Sequence, residues 1–228
     1  MPSAQKLETD EAAMGRHGAD FRSLLQAIHS SNISNLSLVH PRGKVLFAEG
    51  EPARGVFILR TGRAATSISS SEGRLVILRI AQAGDVLGLN SVLRNASYNT
   101  TIKTIESCRT EFIPRKELVD LMERNQPTAQ AIAQLLSREV AELTDRARSL
   151  LLPQTASAKL AKLLLEWSEH APHITKSFTH EDLAHMICSS RETVTRLLAS
   201  LNRRRIIRVT PDNILISDRA ALQKIAVG

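Results

Sequence analysis

Four polar residues in one short stretch of this chain have types and spacing suited to chemistry: Arg191, Glu192, Thr195 and Arg196, within RETVTRLLASL. An arginine can donate two hydrogen bonds to guanine O6 and N7, and a carboxylate can accept one from cytosine N4. Glu192 is the telling residue. A helix held to a polyanion by charge alone gains nothing from a carboxylate facing phosphates, whereas base readout gives it a use. Val194, Leu197, Leu198 and Leu201 follow the i, i+3, i+4, i+7 rule and point to a core, which leaves the four polar residues on the free face. The bland alternative is an ordinary surface helix with solvated first-turn charges, and the residues on either side favour base readout over it.

On the N-terminal side, Thr179 and Asp182 have the spacing of a capping box, and Leu183, Met186 and Ile187 fall on one side of a first helix. Cys188 and Ser189 fill a tight turn, and Ser190 is placed to cap the second helix. Two helices so joined place the first turns of the second where a recognition helix meets base edges in a major groove. Thr179 and Ser190, at the two helix starts, join the four as candidate DNA-binding residues. On the C-terminal side, IIRVTPDNILI sets two β-branched runs about a Thr-Pro-Asp-Asn turn, the composition of a hairpin or wing. Arg203, Arg204 and Arg205 link helix to wing and are either phosphate contacts or a solvated charge run. A last, packing helix is expected from Asp218 through Leu222 and Ile225.

The elements that position this segment come earlier. From about Gly43 to Pro114 the chain is a series of short β-like runs broken by glycine, namely VLFAEGE, GVFILRTGR, RLVILRI, GDVLGL and CRTEFIP. That pattern predicts a small barrel or jelly roll in which the glycines serve turns, with neither a P-loop nor a nucleophile elbow. Pro127 opens a long helical stretch in which Ala129, Ala133, Leu136, Val140, Leu143, Ala147 and Leu150 alternate steps of four and three, a heptad seam that implies a helix pair. A parallel homodimer through 127–152 would set two recognition helices about 34 Å apart on one face of DNA; the alternative is a helix packed only on its own barrel. Leu152, Pro153 and Gln154 break the helix and form a hinge. The expected class is α+β, with a β-roll or jelly-roll domain over 20–126, a dimerisation helix over 127–152 and a winged helix-turn-helix over 153–228.

The 228 residues carry 30 Lys and Arg against 23 Asp and Glu, a net charge of +7, which fits a polyanionic partner without demanding one. No apolar run approaches the roughly 20 residues that span a bilayer and the N-terminus lacks a signal-peptide core, so a cytoplasmic protein without membrane contact is expected. The two cysteines, Cys108 and Cys188, lie in different expected domains and read as packing or turn residues, not as a disulfide framework. Glu169, His170 and His173 form a weak metal-ligand triplet beside Pro172, and no metal site is expected there. An enzyme built on the barrel is the rival class. The barrel stretch holds no histidine and its carboxylates lack metal-ligand spacing, so no catalytic residue is assigned.

Taken together, GKVLFAEGEPARGVFILRTGRA, the GDVLGL turn, FIPRKELVDLM, the dimer helix and CSSRETVTRLL resemble the superfamily of bacterial transcription regulators typified by the cyclic-AMP receptor protein and Fnr. The resemblance covers nearly everything after residue 20. It implies a sensory β-roll of the cyclic-nucleotide-binding type and a homodimer on palindromic promoter DNA with TGTGA-like half-sites, commonly touching RNA polymerase, and it gives Arg191, Glu192 and Arg196 the three base-reading positions. Cyclic-nucleotide binders of the family carry a Gly-Glu pair after the GD turn and an Arg-Ser pair about ten residues later. Here Leu89 follows Gly88, and Asn99 with Thr100 stands at the second pair. Without the arginine the cyclic phosphate loses a charge-assisted bidentate contact, so cyclic AMP is disfavoured as effector. Backbone amides near Gly88, with Asn99, Thr100, Thr101 and, for a purine, Thr144, make up the effector pocket that the resemblance implies. An Fnr-type iron-sulphur cluster is closed off for want of N-terminal cysteines, and nothing singles out a haem ligand. The effector's identity is left open, as is whether one exists, a regulator controlled by abundance alone being the third possibility.

Overall fold

The computed structural model describes residues 24–26, 28, 36–151, 154–168, 173–175, 178–210 and 213–227. They form two compact units. One holds the described residues up to Gly73 together with Leu78–Leu143, and the other holds Arg74–Ile77 and those from Thr144 onward.

The first unit is an antiparallel β-roll. Strands β1 (Leu36–His40), β3 (Gly55–Thr61), β6 (Val86–Leu87) and β8 (Cys108–Pro114) form one sheet in the order β1-β8-β3-β6. Strands β2 (Val45–Phe47), β4 (Ala64–Ser69), β5 (Leu75–Ala81) and β7 (Thr101–Thr104) form a second in the order β2-β7-β4-β5. Val56, Ile58 and Leu59 of β3 and Ile113 of β8 are wholly buried, with Phe47, Leu87 and Ile102 beside them. The ring of Tyr98 stacks on Phe47 at 3.8 Å between centroids, and its hydroxyl donates to the Gly55 carbonyl. Three strands go beyond the expected set. β1 precedes Gly43, and both β4 (AATSIS) and β7 (TIKT) lack the apolar runs by which strands are recognised. Their pairing with neighbouring strands, β1 on β8 and β7 between β2 and β4, supplies what local composition does not.

Helix α1 (Leu89–Leu93) follows the turn at Gly88, α2 (Arg115–Arg124) follows β8, and α3 (Gln126–Leu151) runs on from α2. On α3, Thr128, Ala131, Ile132 and Leu135 are buried, and Ile132 and Leu135 join Leu118 and Leu121 of α2 in the core of this unit. Of the seam residues, Leu136 is partly buried against this core, and those further along turn to the surface. Val140 is 63% exposed and Leu143 38%.

In the second unit, α4 (Ala156–Ser168) buries Leu160, Ala161 and Leu164. Helices α5 (His180–Ile187) and α6 (Arg191–Arg203) pack on each other and on α4. The sheet here has three strands, β9 (His173–Thr175), β10 (Ile207–Val209) and β11 (Asn213–Ile216), in the order β10-β11-β9. The hairpin is the expected wing, although Pro211 and Asp212 of its turn lie outside the described residues. β9 corrects the view of His173 as part of a polar interhelical stretch, because Ile174 pairs with Ile214 of the wing. Helix α7 (Arg219–Val227) starts where expected, capped by Asp218, whose carboxylate accepts from the Ala221 N–H at 2.9 Å, and it buries Leu222 and Ala226.

Candidate nucleic-acid interface and sensor pocket

The ends of α5 and α6 are fixed by their own side chains. Thr179 accepts from the Asp182 N–H at 3.1 Å while its own N–H donates to the Asp182 carboxylate at 2.7 Å, a complete capping box. Ser190 accepts from the Thr193 N–H at 3.2 Å. Between the helices the exposed Cys188 takes the left-handed conformation, φ 52°, which ends α5 ahead of Ser189 and the cap at Ser190. Val194, Leu198 and Leu201 are buried, with Leu183, Met186 and Ile187 across from them on α5. This packing sets the rotation of α6 and leaves Arg191, Glu192, Thr195 and Arg196 exposed together over its first two turns. The wing is tied to the same helix, since the Asn202 carbonyl oxygen of the side chain accepts from the Val209 N–H at 3.1 Å.

The electrostatics suit readout by polar side chains. The Glu192 carboxyl is held below the usual carboxylate range by its own backbone N–H, with help from the Ser190 hydroxyl and the charge of Arg191. It is therefore an acceptor at neutral pH, as a contact to a base amino group requires. Thr179 and Ser190 stand at the two helix starts with their hydroxyls engaged in capping. Arg203, Arg204 and Arg205 are exposed at the exit of α6.

In the β-roll the residues named from the sequence are brought near one another only in part. Gly88, at φ 80°, caps α1, and the space a Cβ would take there is filled by the Tyr98 ring at 2.7 Å. Asn99 is turned toward α1, its side-chain carbonyl accepting from the Ser91 hydroxyl at 3.2 Å. The Thr101 hydroxyl accepts from the Glu49 N–H at 3.0 Å. Leu89 is 2% exposed, a core residue. Thr144 belongs to the second unit.

The pocket of this unit lies between Arg79, Asp85 and Leu89 on the roll and Leu135, Arg138, Glu139 and Glu142 on α3, a set that reading the sequence missed. Arg79 and Asp85 form an ion pair in which Asp85 is 2% exposed and also accepts from the Gln82 N–H at 3.0 Å. Burial works against the Arg79 charge, but Asp85, with Glu142 and Glu139, outweighs it and raises its pKa. Burial lifts the Glu139 carboxyl above the usual range, Arg79 opposes that, and Asp85 and Glu142 add to it. The cavity has a volume of about 20 Å³, room for about one water. A cyclic phosphate placed here would face three carboxylates, Asp85, Glu139 and Glu142, against two guanidinium groups, Arg79 and Arg138, of which Arg79 is already engaged by Asp85. These residues do not fit a cyclic nucleotide. A signal was present in the sequence: Arg79 interrupts the apolar run RLVILRI six residues before the aspartate of the GD turn.

The cysteines behave differently from each other. The Cys108 thiol is buried, donates to the Arg63 carbonyl at 3.2 Å and is pushed up by that burial to about 11, so it packs and is not a reactive thiolate. No group of three His, Cys, Asp or Glu suited to a metal occurs among the described residues, and Glu169 and His170 lie outside them. No helix among the described residues is long and apolar enough to cross a membrane.

Comparison with known proteins assigns both units. Residues 38–125 match the cyclic nucleotide-binding domain family, and residues 158–225 match the Crp-like helix-turn-helix domain family. The chain is 26% identical over 191 residues to the CRP-like cAMP-activated global transcriptional regulator of Mycobacterium tuberculosis, covering 81% of this chain and 85% of that protein. It is 25% identical over 190 residues to the cyclic AMP receptor protein of Thermus thermophilus, covering 83% and 88%. Among solved structures, FixK2 from Bradyrhizobium japonicum superposes with a TM-score of 0.76 at 22% identity, covering 85% of this chain and 98% of that one. With a jelly-roll domain, a long helix and a winged helix-turn-helix in this order, the chain belongs to the Crp/Fnr family of transcription regulators.

Proposed function

We propose that this regulator binds palindromic promoter DNA as a homodimer, reading each half-site with Arg191, Glu192 and Arg196, and that it does so without cyclic AMP. The observation that carries the reading is the exposed face of α6, where two guanidinium groups, an ionised carboxylate and a threonine stand over the first two turns of a capped helix. A carboxylate in that set selects for bases and against phosphates. The dimer rests on the exposed Val140 and Leu143 of α3, continued by the exposed Ala133 and Ala147. Small residues at such a seam permit close helix approach. The protein acts in the cytoplasm, has no catalytic role, and contacts RNA polymerase at its promoters. Its organisation is that of a β-roll sensor over 20–126, a dimerisation helix over 127–152 and a DNA-binding domain over 153–228.

The mycobacterial relative is described as cAMP-activated, but the pocket here argues for a different control. Of its two guanidinium groups that of Arg79 is engaged by Asp85, its lining also includes Glu139 and Glu142 beside Arg138, and its volume is that of about one water. An effector of another class, or a partner protein, would have to act on this charge cluster or near Gly88, Asn99, Thr100, Thr101 and Thr144. The test is selection of binding sites from random DNA by the purified protein, followed by titration with cyclic AMP. The expected outcome is enrichment of an inverted repeat without nucleotide, and an affinity unchanged by micromolar cyclic AMP. Enrichment only when cyclic AMP is present would overturn the effector reading, and absence of any repeat would overturn the dimeric one.

A further inference from the structure

Thr195 stands on the exposed face of α6, yet its hydroxyl is not free to meet DNA. Its oxygen lies 2.9 Å from the Arg191 carbonyl one turn back, to which it donates, and 2.8 Å from Nδ1 of His180, the first residue of α5. A threonine hydroxyl has one proton. Since that proton goes to Arg191, the proton in the His180 contact must sit on Nδ1, and the imidazole is the donor. The pair links the first turns of the two helices across 15 residues of sequence. What Thr195 has left for a base is one lone pair and a methyl group. It has no donor to offer an acceptor edge, which leaves the lone pair for a base amino group and the methyl for an apolar mark, and the apolar mark in the major groove is the thymine C5-methyl.

We propose that His180 is a specificity-determining positioning residue: by donating from Nδ1 it locks the Thr195 side chain so that the threonine methyl selects a thymine at one step of each half-site. The inference rests on α6 being the base-reading helix. His180 touches no base in this scheme and acts through Thr195.

The experiment uses the full-length protein and the site obtained by selection, with each thymine of one half-site replaced in turn by deoxyuridine, which differs only by the methyl. For the wild type, one replacement is expected to weaken binding about fourfold, the worth of one buried methyl group, and the others little. In T195S that sensitivity is expected to vanish. In H180A it should fall toward onefold while affinity for random DNA stays within about twofold, the range of a change that removes no phosphate contact. H180N, whose amide N–H sits near the place of Nδ1–H, should restore the fourfold ratio, and H180Q, whose amide sits near the place of Nε2, should not. The Asn and Gln variants decide the matter if H180A melts early. A wild type indifferent to every methyl, or an H180A that keeps the full ratio, would overturn the proposal, as would equal weakening of H180A on selected and random DNA, which would make His180 a phosphate contact. R191A separates this from the underlying reading. If R191A, E192A and R196A all weaken selected and random DNA equally, the base-reading role of α6 fails; if R191A loses preference for the selected site and H180A keeps the methyl ratio, only the role of His180 fails.

Discussion

The charges of the DNA-binding unit and those of the β-roll are used in opposite ways. On α6 the guanidinium groups of Arg191 and Arg196 extend into solvent from a helix whose caps and buried leucines fix it in place. In the roll Arg79 is turned inward against Asp85, which is 2% exposed, and Glu139 and Glu142 close the pocket from α3. An exposed cation beside a groove of bases is available for recognition. A buried one matched to a carboxylate of its own chain is a structural element, and it occupies space that a sensor would need for a ligand. The family shape is thus kept in both units, with polar groups open on α6 and paired within the chain at Arg79 and Asp85.

The comparison can be broken most severely at Asp85. D85N leaves Arg79, whose side chain is 19% exposed, beside a neutral amide, and removing one partner of a buried pair costs at most about 3–5 kcal/mol. Denaturant unfolding should show that loss, and a loss under about 1 kcal/mol would make the pair an ordinary surface contact. Leu143→Glu, placed on the exposed seam, should set like charges against each other across the dimer and cost several kcal/mol of association. Sedimentation at micromolar concentration is then expected to show monomer; an unchanged dimer would put the interface elsewhere.

Smaller effects sharpen the contrast. S190A removes the cap of α6 and should cost about 1 kcal/mol of stability, the usual value of a Ser N-cap. The Glu139 carboxyl has a folded-state pKa above its unfolded value, because burial disfavours its charge. The group therefore favours folding below the unfolded carboxylate range, and that contribution is lost as pH rises through the raised value. Wild type should lose stability relative to E139Q as pH rises from about 4 to 7, a gain signalling instead that Arg79 dominates. The smallest effect is at Cys188, a non-glycine residue at φ 52°. C188G relieves the left-handed strain at some cost in unfolded-state entropy, and a net gain of about 0.5 kcal/mol in thermal stability is expected.

Legibility in the sequence followed the range of the interactions. Helices α5 and α6 are written locally: Thr179 with Asp182, Ser190, and leucines at helical spacing lie within a few residues of one another, and the structure has them in those roles. Strand β4 is small and polar, AATSIS, and its first four residues are buried only because β5 and β7 flank it. Strand β9 exists through Ile174 opposite Ile214, a pairing across 40 residues that composition near Pro172 does not announce. Charges follow the same rule. Arg79 and Asp85 lie on either side of a turn and read singly as solvated residues, and it takes the helix carrying Glu139 and Glu142 to make them a cluster. The bond from His180 to Thr195 is equally invisible, since it depends on the angle at which two short helices meet.

The central claim is that the exposed face of α6 reads bases. The direct measurement is the ratio of affinities for selected and random DNA, at one fixed salt concentration, in wild type, R191A, E192A and R196A. Each substitution is expected to cost about 1–3 kcal/mol on the selected site, to relax preference at one base position and to change random-DNA affinity much less. Equal weakening on both DNAs in all three variants would reduce these residues to backbone contacts and contradict the account.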